Sequence, residues 1–446
     1  MWHKLATKTL LEIKYPGFNK QIRDLKNNHF RSLNELEAEQ TVGLRQMLDY
    51  AFANVPYYVE LSKKTGLSST DIKTQKDMVK LPIITKKDIK KDPQAFISQK
   101  YSPHISSKTG GSTGEPFVYY IDKEASRFVL LMSYRAHQTG SGYDFGNKIF
   151  IFGGGSIYNK KNRKTQLIQK VQNYRAFSSY GIDEHGFERL YKAIVTEKPM
   201  FFYGYASSWT LFAEYLVNTG KKLSYTPKAL FSTAEVLLSQ QRELIEKAMN
   251  LKVFDQYGMY DGGVSAYECE AHTGMHIDFE GALLHVVDDN GNILKEGTGR
   301  VLATSLRNFY MPFINYDTGD YATITYQPCT CGRTTPRLMK VDGRTTDYLL
   351  IDGVYIGSPV LTILMSGFDV ASYRIIQEDE HLVVFHLVVS EEIWNNSTKK
   401  EEMANRIKYS FNLKAPSANV QVVFHQTMVD LGIENKHKLI VNKTKK

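Results

Sequence analysis

The middle of the chain alternates short apolar runs with amphipathic segments. The runs are too short for buried helices, whereas the segments between them repeat their apolar residues at helical spacing. The predicted strands are Lys148–Phe152, Phe201–Tyr205, Lys228–Ser232 and Lys252–Gly258, and the predicted helices are Asp183–Val195, Ser208–Val217 and Gln240–Met249. This alternation is typical of repeated β-α-β units. We therefore expect a largely parallel sheet, with ligands bound at the carboxyl ends of its strands.

The pattern differs on both sides of this region. Upstream, apolar residues at helical spacing predict a helix over Leu33–Ala51, with Ser32 as its cap. Downstream, strand follows strand between Phe279 and Thr325, which predicts a β-hairpin region. From about Thr346 the chain predicts a small α+β unit. Its strands are Ser372–Gln377, His381–Val389 and Ala418–His425, and its helix lies within Glu391–Phe411.

Length and charge narrow the class of protein. A chain of 446 residues is long enough for two or three domains. Its 56 Lys and Arg against 47 Asp and Glu give a formal charge of +9, which suits a polyanionic ligand or an acidic surface. The basic residues are dispersed and accompany no nucleic-acid-binding motif, so we expect no nucleic acid partner. With neither a signal peptide nor a membrane-spanning run, we expect a cytoplasmic protein.

The segment Ser106–Phe117 is rich in glycine and hydroxyl residues. Three glycines allow close approach of the backbone to a ligand, and three hydroxyl side chains add donors, as in loops that hold phosphate oxygens. These residues are Thr109, Gly110, Gly111, Ser112, Thr113 and Gly114. A Walker loop is excluded because no Gly-Lys-Ser/Thr ending follows. An ordinary flexible turn remains the alternative.

Four further motifs follow this loop in order. They are YGMYD at Tyr257–Asp261, NYDTGD at Asn315–Asp320, DGRTTD at Asp342–Asp347, and IENKHKLIV around Lys436. Together they resemble the adenylate-forming superfamily of acyl-CoA synthetases. Within the superfamily, the chain resembles the branch that contains phenylacetate-CoA ligases and capsular-polysaccharide proteins related to coenzyme F390 synthetase. The segments that carry this resemblance are ANVPYY, LPIITKKDI and GYASS at Gly204–Ser208.

The resemblance implies an ATP site. The loop Thr109–Gly114 would hold the β and γ phosphates. Asp261 would hold Mg²⁺, where the family commonly has Glu. Asp320 would accept hydrogen bonds from the ribose hydroxyls, and Arg344 would contact ribose and phosphate. The adenine would lie between Tyr257 with Gly258 on one side and Ala234 with Glu235 on the other.

The resemblance also implies an acid site and a moving domain. The acid would lie near Tyr203, Gly204, Tyr205 and Ser207. Lys436 would enter the active site during adenylation, with Lys438 as its rival. The family's hinge falls in the segment GRTTD, at Thr346 or Asp347. We therefore expect an N-terminal adenylation domain over 1–345 and a small mobile C-terminal domain over 346–446.

Three cysteines, an odd number, argue against a disulfide framework. Cys329 and Cys331 flank one residue, and Cys269 is followed by His272 and His276. Three thiolates and one imidazole would make a tetrahedral structural zinc site, and His276 fits the ligand position of some relatives better than His272. Three reduced, buried cysteines are the alternative.

The expected activity is carboxylic acid activation through an acyl-adenylate, followed by acyl transfer to a thiol, with coenzyme A as the expected acceptor. Capsular polysaccharide biosynthesis is one setting. Two alternatives remain: transfer to an amine or hydroxyl of a sugar, and a degenerate nucleotide-binding member without activity.

The basic run 159–175 could contact the phosphates of coenzyme A or a membrane surface, or be an ordinary solvated face. The acid and the oligomeric state are left open.

Overall fold

A computed structural model describes most of the chain. The described residues are 2–100, 104–108, 118–154, 163–179, 182–259, 262–343, 348–352, 354–357, 361, 364–365, 368–427 and 440–444. The helices are α1 (Trp2–Lys14), α2 (Phe18–Asn28), α3 (Leu33–Asn54), α4 (Pro56–Thr65), α5 (Lys86–Lys91), α6 (Lys123–Gln138), α7 (Arg163–Gln172), α8 (Glu184–Glu197), α9 (Ala206–Thr219), α10 (Ser239–Met249), α11 (Glu391–Trp394) and α12 (Ser397–Asn412). No described helix has the length and apolar character needed to cross a membrane.

The strands belong to four sheets. They are β1 (His104–Lys108), β2 (Val118–Asp122), β3 (Ile149–Gly153), β4 (Tyr174–Ser178), β5 (Phe201–Tyr205), β6 (Ala229–Thr233), β7 (Lys252–Met259), β8 (Val264–Glu268), β9 (Met275–Ile277), β10 (Ala282–Val287), β11 (Gly297–Ser305), β12 (Tyr316–Thr325), β13 (Arg337–Gly343), β14 (Tyr348–Ile351), β15 (Val354–Gly357), β16 (Ser372–Gln377), β17 (Leu382–Val388), β18 (Asn419–His425) and β19 (Ile440–Asn442).

One eleven-stranded sheet carries the predicted site. Its order is β10-β11-β12-β13-β9-β8-β7-β6-β5-β3-β4. The strands from β4 to β7 pair in parallel, and those from β7 to β10 pair antiparallel. The α/β class is therefore confirmed, and the predicted parallel and hairpin regions are two halves of one sheet that share β7.

The predicted helices are present with small changes at their ends. Ser32 caps α3 in a capping box, since its side chain accepts a hydrogen bond from the Glu35 amide. The helix expected within Glu391–Phe411 is two helices, α11 and α12. It divides because the Asn396 side chain accepts a hydrogen bond from the Lys399 amide at 3.0 Å and so begins α12.

The C-terminal unit has its own sheet and core. The sheet order is β18-β17-β16-β19, with β16 and β17 antiparallel and the two outer strands parallel to their neighbours. Its core includes Phe385 on β17 together with Ile407 and Phe411 on α12, all fully buried. This matches the expected α+β character, and the division at 345/346 stays a prediction.

The N-terminal helices α1 and α2 were not expected from the sequence pattern. α2 buries Phe18, Ile22 and Leu25, which pack with Leu131 and Met132 of α6. The first thirty residues are thus packed onto the α/β body, with α1 against α7 and α2 against α6, which also forms a wall of the site described next.

Candidate active site

The predicted acid-binding residues lie on the parallel strand β5, toward its carboxyl end, and at the beginning of α9. Tyr203 and Tyr205 are on β5, whose register pairs Tyr205 with Thr233 at the end of β6. Gly204 is required between the two tyrosines, because a Cβ there would lie 1.9 Å from the Phe152 carbonyl oxygen on β3. The absence of a side chain lets β5 pair closely with β3, with Gly204 opposite Phe152.

Glu235 links the end of β6 to the beginning of α9. It follows Ala234, whose φ of 67° is left-handed. Its carboxylate accepts hydrogen bonds from the Ser207 amide at 2.8 Å and from the Ser207 hydroxyl at 2.9 Å. Burial nevertheless raises the pKa of Glu235 to about 7, against the effect of these two donors. Predicted adenine-site and acid-site residues therefore contact one another directly.

Tyr257 and Asp320 are also brought together. The Tyr257 hydroxyl donates a hydrogen bond to Asp320 Oδ2 at 2.9 Å, although β7 and β12 are not neighbours in the sheet. Asp320 follows Gly319, whose φ of 80° accommodates a bulge within β12, where the register with β11 shifts between Arg300 and Leu302. The structure thus places the predicted ribose acceptor within hydrogen-bond distance of the predicted adenine-site aromatic.

A cavity of about 80 Å³ lies beside these residues. Tyr203, Thr233, Tyr257 and Gly258 line it at the strand ends, and α6 lines it with apolar side chains. The α6 wall and Arg307, which also lines the cavity, were missed by the sequence reasoning. The helical spacing of Phe128, Met132 and Ala136 could have indicated the wall, whereas Arg307 has no such signal.

Several predicted site residues fall outside the described part of the chain. They are Thr109, Gly110, Gly111, Ser112, Thr113, Gly114, Asp261, Arg344 and Lys436, with the hinge residues Thr346 and Asp347 and the rival Lys438. Their neighbouring strands are described: Lys108 of β1 pairs with Val118 of β2 on either side of the glycine-rich segment. Their roles remain predictions.

The three cysteines lie close to one histidine, at a place in the fold that is separate from this cavity. The donor atoms of Cys269, His276, Cys329 and Cys331 all lie within 4.8 Å of one another. Cys331 Sγ is 3.3 Å from His276 Nε2, and Cys269 Sγ is 3.8 Å from Cys329 Sγ. His272 lies elsewhere, with its Nδ1 atom 3.2 Å from Glu268 Oε2.

This donor set fits a structural zinc ion. Three sulfur atoms and one imidazole nitrogen are a common tetrahedral set. His276 Nδ1 lies 3.2 Å from the Thr335 carbonyl oxygen, which orients the ring so that Nε2 faces the sulfurs. A zinc ion held here would join β8 and β9 to the segment that precedes β13. The geometry selects His276 over His272 as the fourth donor.

A buried ion network lies next to this cluster. Arg135 of α6 donates to both carboxylate oxygens of Glu280, at 2.8 and 2.7 Å, and also pairs with Asp278. His29 Nε2 lies 3.3 Å from Asp278 Oδ1. The guanidinium lies among the acidic groups and neutralises them. We therefore interpret this network as structural ion pairing that connects the end of α2, α6 and the segment after β9.

Comparisons with known proteins agree with the motifs. No family model matches the chain. It is 26% identical over 395 residues to the protein CapK of Staphylococcus aureus, covering 86% of this chain and 84% of CapK. It is 26% identical over 347 residues to the phenylacetate-coenzyme A ligase of Thermus thermophilus, covering 72% and 73%.

Solved structures show the same fold. A 2-hydroxyisobutyryl-CoA ligase with 2-HIB-AMP and CoA, in its thioesterification state, superposes with a TM-score of 0.65 at 20% identity, covering 94% of this chain and 92% of that chain. Its postadenylation state with R3-HIB-AMP gives 0.62 at 19% identity, covering 90% and 88%. The chain is therefore a homologue of CapK and the phenylacetate-CoA ligases with the fold of the adenylate-forming ligases, which confirms the resemblance drawn from its motifs.

Proposed function

We propose that the protein activates a small carboxylic acid with ATP as an acyl-adenylate and transfers the acyl group to the thiol of coenzyme A. The observation that carries this proposal is the position of Tyr257. Its side chain lines the cavity and also donates to Asp320. One residue thus lines the cavity proposed for the acid and contacts the proposed ribose acceptor, as a reaction between acid and nucleotide requires.

Adenylation needs positioning and charge neutralisation more than a strong base. The acid's carboxylate would attack the α-phosphorus of ATP and displace pyrophosphate. In this proposal Thr109–Gly114 hold the phosphates, Arg344 contacts the ribose and phosphate, and Lys436 stabilises the charge that develops at the carboxylate and the α-phosphate. Asp261 would supply a carboxylate oxygen to Mg²⁺, which lowers the charge of the departing pyrophosphate.

The relatives support coenzyme A as the acceptor. Several are named phenylacetate-coenzyme A ligases, and the solved 2-hydroxyisobutyryl-CoA ligase was captured with CoA. A place in capsular polysaccharide biosynthesis rests on the name CapK alone. We therefore propose the acyl-CoA reaction as the activity and capsule assembly only as one setting for it.

The test is ATP–pyrophosphate exchange over a panel of aryl, fatty, hydroxy, dicarboxylic and amino acids, followed by assay for the acyl-CoA. Exchange with an acid that also yields its CoA thioester is expected. Exchange without a thioester would replace the thiol by an amine or hydroxyl acceptor. ATP binding without exchange for any acid would show a nucleotide-binding protein without this activity.

The role of Lys436 can be tested by measuring the two half-reactions, adenylation and thioester formation, separately. Lys436→Ala is expected to reduce exchange by about a hundredfold or more, because a donor to the developing charge is removed. It should largely spare thioester formation from a supplied acyl-adenylate. Lys438→Ala is the matched control, since it changes the same segment and should retain exchange. Equal loss of both half-reactions in Lys436→Ala, or a larger loss in Lys438→Ala, would contradict the assignment.

A further inference from the structure

Arg307 lines the cavity from the segment that joins β11 to β12. Its Nε atom donates a hydrogen bond to the Glu280 carbonyl oxygen at 2.8 Å. Its guanidinium carbon lies 4.5 Å from the centre of the Phe128 ring. A hydrogen bond at one edge and an aromatic face beneath it hold the guanidinium plane in one orientation.

The outer nitrogens of Arg307, Nη1 and Nη2, have no hydrogen-bond acceptor among the side chains and carbonyl oxygens of the described ranges. The nearby Glu280 carboxylate is already bonded to Arg135 and to the Asn28 side chain at 3.1 Å. Arg307 therefore presents a fixed pair of charged donors, at the exposed edge of the cavity, to whatever enters it.

The rest of the cavity is apolar along one side and polar elsewhere. Phe128, Val129 and Met132 of α6 supply the apolar side. Gln256 of β7 also lines the cavity, and its Nε2 atom is buried without a hydrogen-bond partner among the described residues. The Gln256 amide can therefore donate to a carboxylate oxygen of a bound acid, whose stem would contact the α6 wall.

We propose, on the basis of the proposed function, that the acid carries a second anionic group that Arg307 binds. Its activated carboxylate would lie toward Tyr257 and its stem along α6. Arginine binds carboxylate and phosphonate oxygens through two parallel hydrogen bonds, so either group fits the open nitrogens. The substrate class is therefore a short acid with an anionic far end, and Arg307 is a specificity-determining residue.

The test compares acids of matched length by pyrophosphate exchange without coenzyme A. Glutarate and 3-phosphonopropionate represent the two sources of the anionic group, and valerate and butyrate are their uncharged counterparts. The wild-type protein should prefer at least one anionic acid by about tenfold or more in kcat/KM. Arg307→Gln should remove that preference, change the uncharged acids by less than about threefold, and leave the KM for ATP unchanged. Arg307→Lys should restore part of the preference because it keeps the charge.

Arg127→Gln is the matched control, because Arg127 belongs to α6 and pairs with Glu124 without lining the cavity. Its preference should equal that of the wild type. Exchange that favours the uncharged acids, or an equal loss for every acid in Arg307→Gln, would overturn the inference while leaving the proposed function intact. A defect in Arg307→Gln confined to thioester formation would assign Arg307 to coenzyme A and also overturn it. Absence of exchange with any acid, here and in the broad panel, would remove the proposed function together with the inference.

Discussion

At the scale of single residues, Glu235 is the clearest case of burial opposing hydrogen bonding. Two donors from Ser207 favour its charged form, yet removal from water dominates and raises its pKa to about 7 from 4.5. An unfolded chain would lose the proton near its ordinary value, so the folded state binds more protons between these two limits. The free energy of unfolding therefore falls as pH rises from about 4.5 to about 7.

Glu235→Gln should remove this contribution, since an amide does not titrate and the Ser207 hydroxyl can accept from its nitrogen. Between pH 5 and pH 8, the difference in unfolding free energy between variant and wild type should move by about 2.5 kcal/mol in favour of the variant. Urea unfolding at both pH values measures this difference. Glu243→Gln, which removes an exposed carboxylate of α10, is the matched control. A pH-independent difference for Glu235→Gln would mean that Glu235 stays charged in the fold.

At the scale of elements, the cysteine cluster brings together the residue after β8, the short strand β9 and the segment that precedes β13. β9 has only three residues, and its register with β13 is Arg337 opposite His276 and Leu338 opposite Met275. A zinc ion at Cys269, His276, Cys329 and Cys331 would hold this short junction in the middle of the large sheet.

Protein purified without chelator should contain about one zinc per chain. Cys331→Ser should lose most of it and melt at a lower temperature, because metal binding contributes to folding free energy. His272→Gln is the control and should retain the metal. Elemental analysis and thermal melts measure both effects. A wild-type protein free of zinc, or loss of zinc in His272→Gln, would rule out the assigned ligand set.

The elements that could be predicted are those whose pattern is local. β5 and β6 are continuous apolar runs because parallel strands are buried on both faces, so Phe201–Tyr205 is found at its observed bounds. β9 could not be found, since three residues carry no period and its place depends on pairing with β13. In the site, the motifs name candidates such as Tyr257 and Asp320, whereas Arg307 lies in a connection, and its place in the cavity depends on its contacts with Phe128 and Glu280.

At the scale of the whole molecule, the N-terminal helices are part of the body that forms the site. Phe18 of α2 is fully buried against α6, the helix that also walls the cavity. Phe18→Ala should lower the unfolding free energy by about 3–5 kcal/mol through lost burial and the cavity left behind. Leu5→Ala on α1, where the side chain is 70% exposed, should change it by about 0.5 kcal/mol or less. Urea unfolding of both variants decides this, and equal effects would mean that α2 is not packed as described.

The contact between Thr334 and His29 has a consequence for how the protein is made. The Thr334 amide donates to the His29 carbonyl oxygen at 2.9 Å, and the two residues are 305 positions apart. At about 5–20 residues per second, a ribosome needs on the order of 15–60 s to add that length. Throughout this interval the end of α2 lacks its contact with Thr334. The nascent chain can therefore bind chaperones or aggregate until the segment before β13 has left the ribosome.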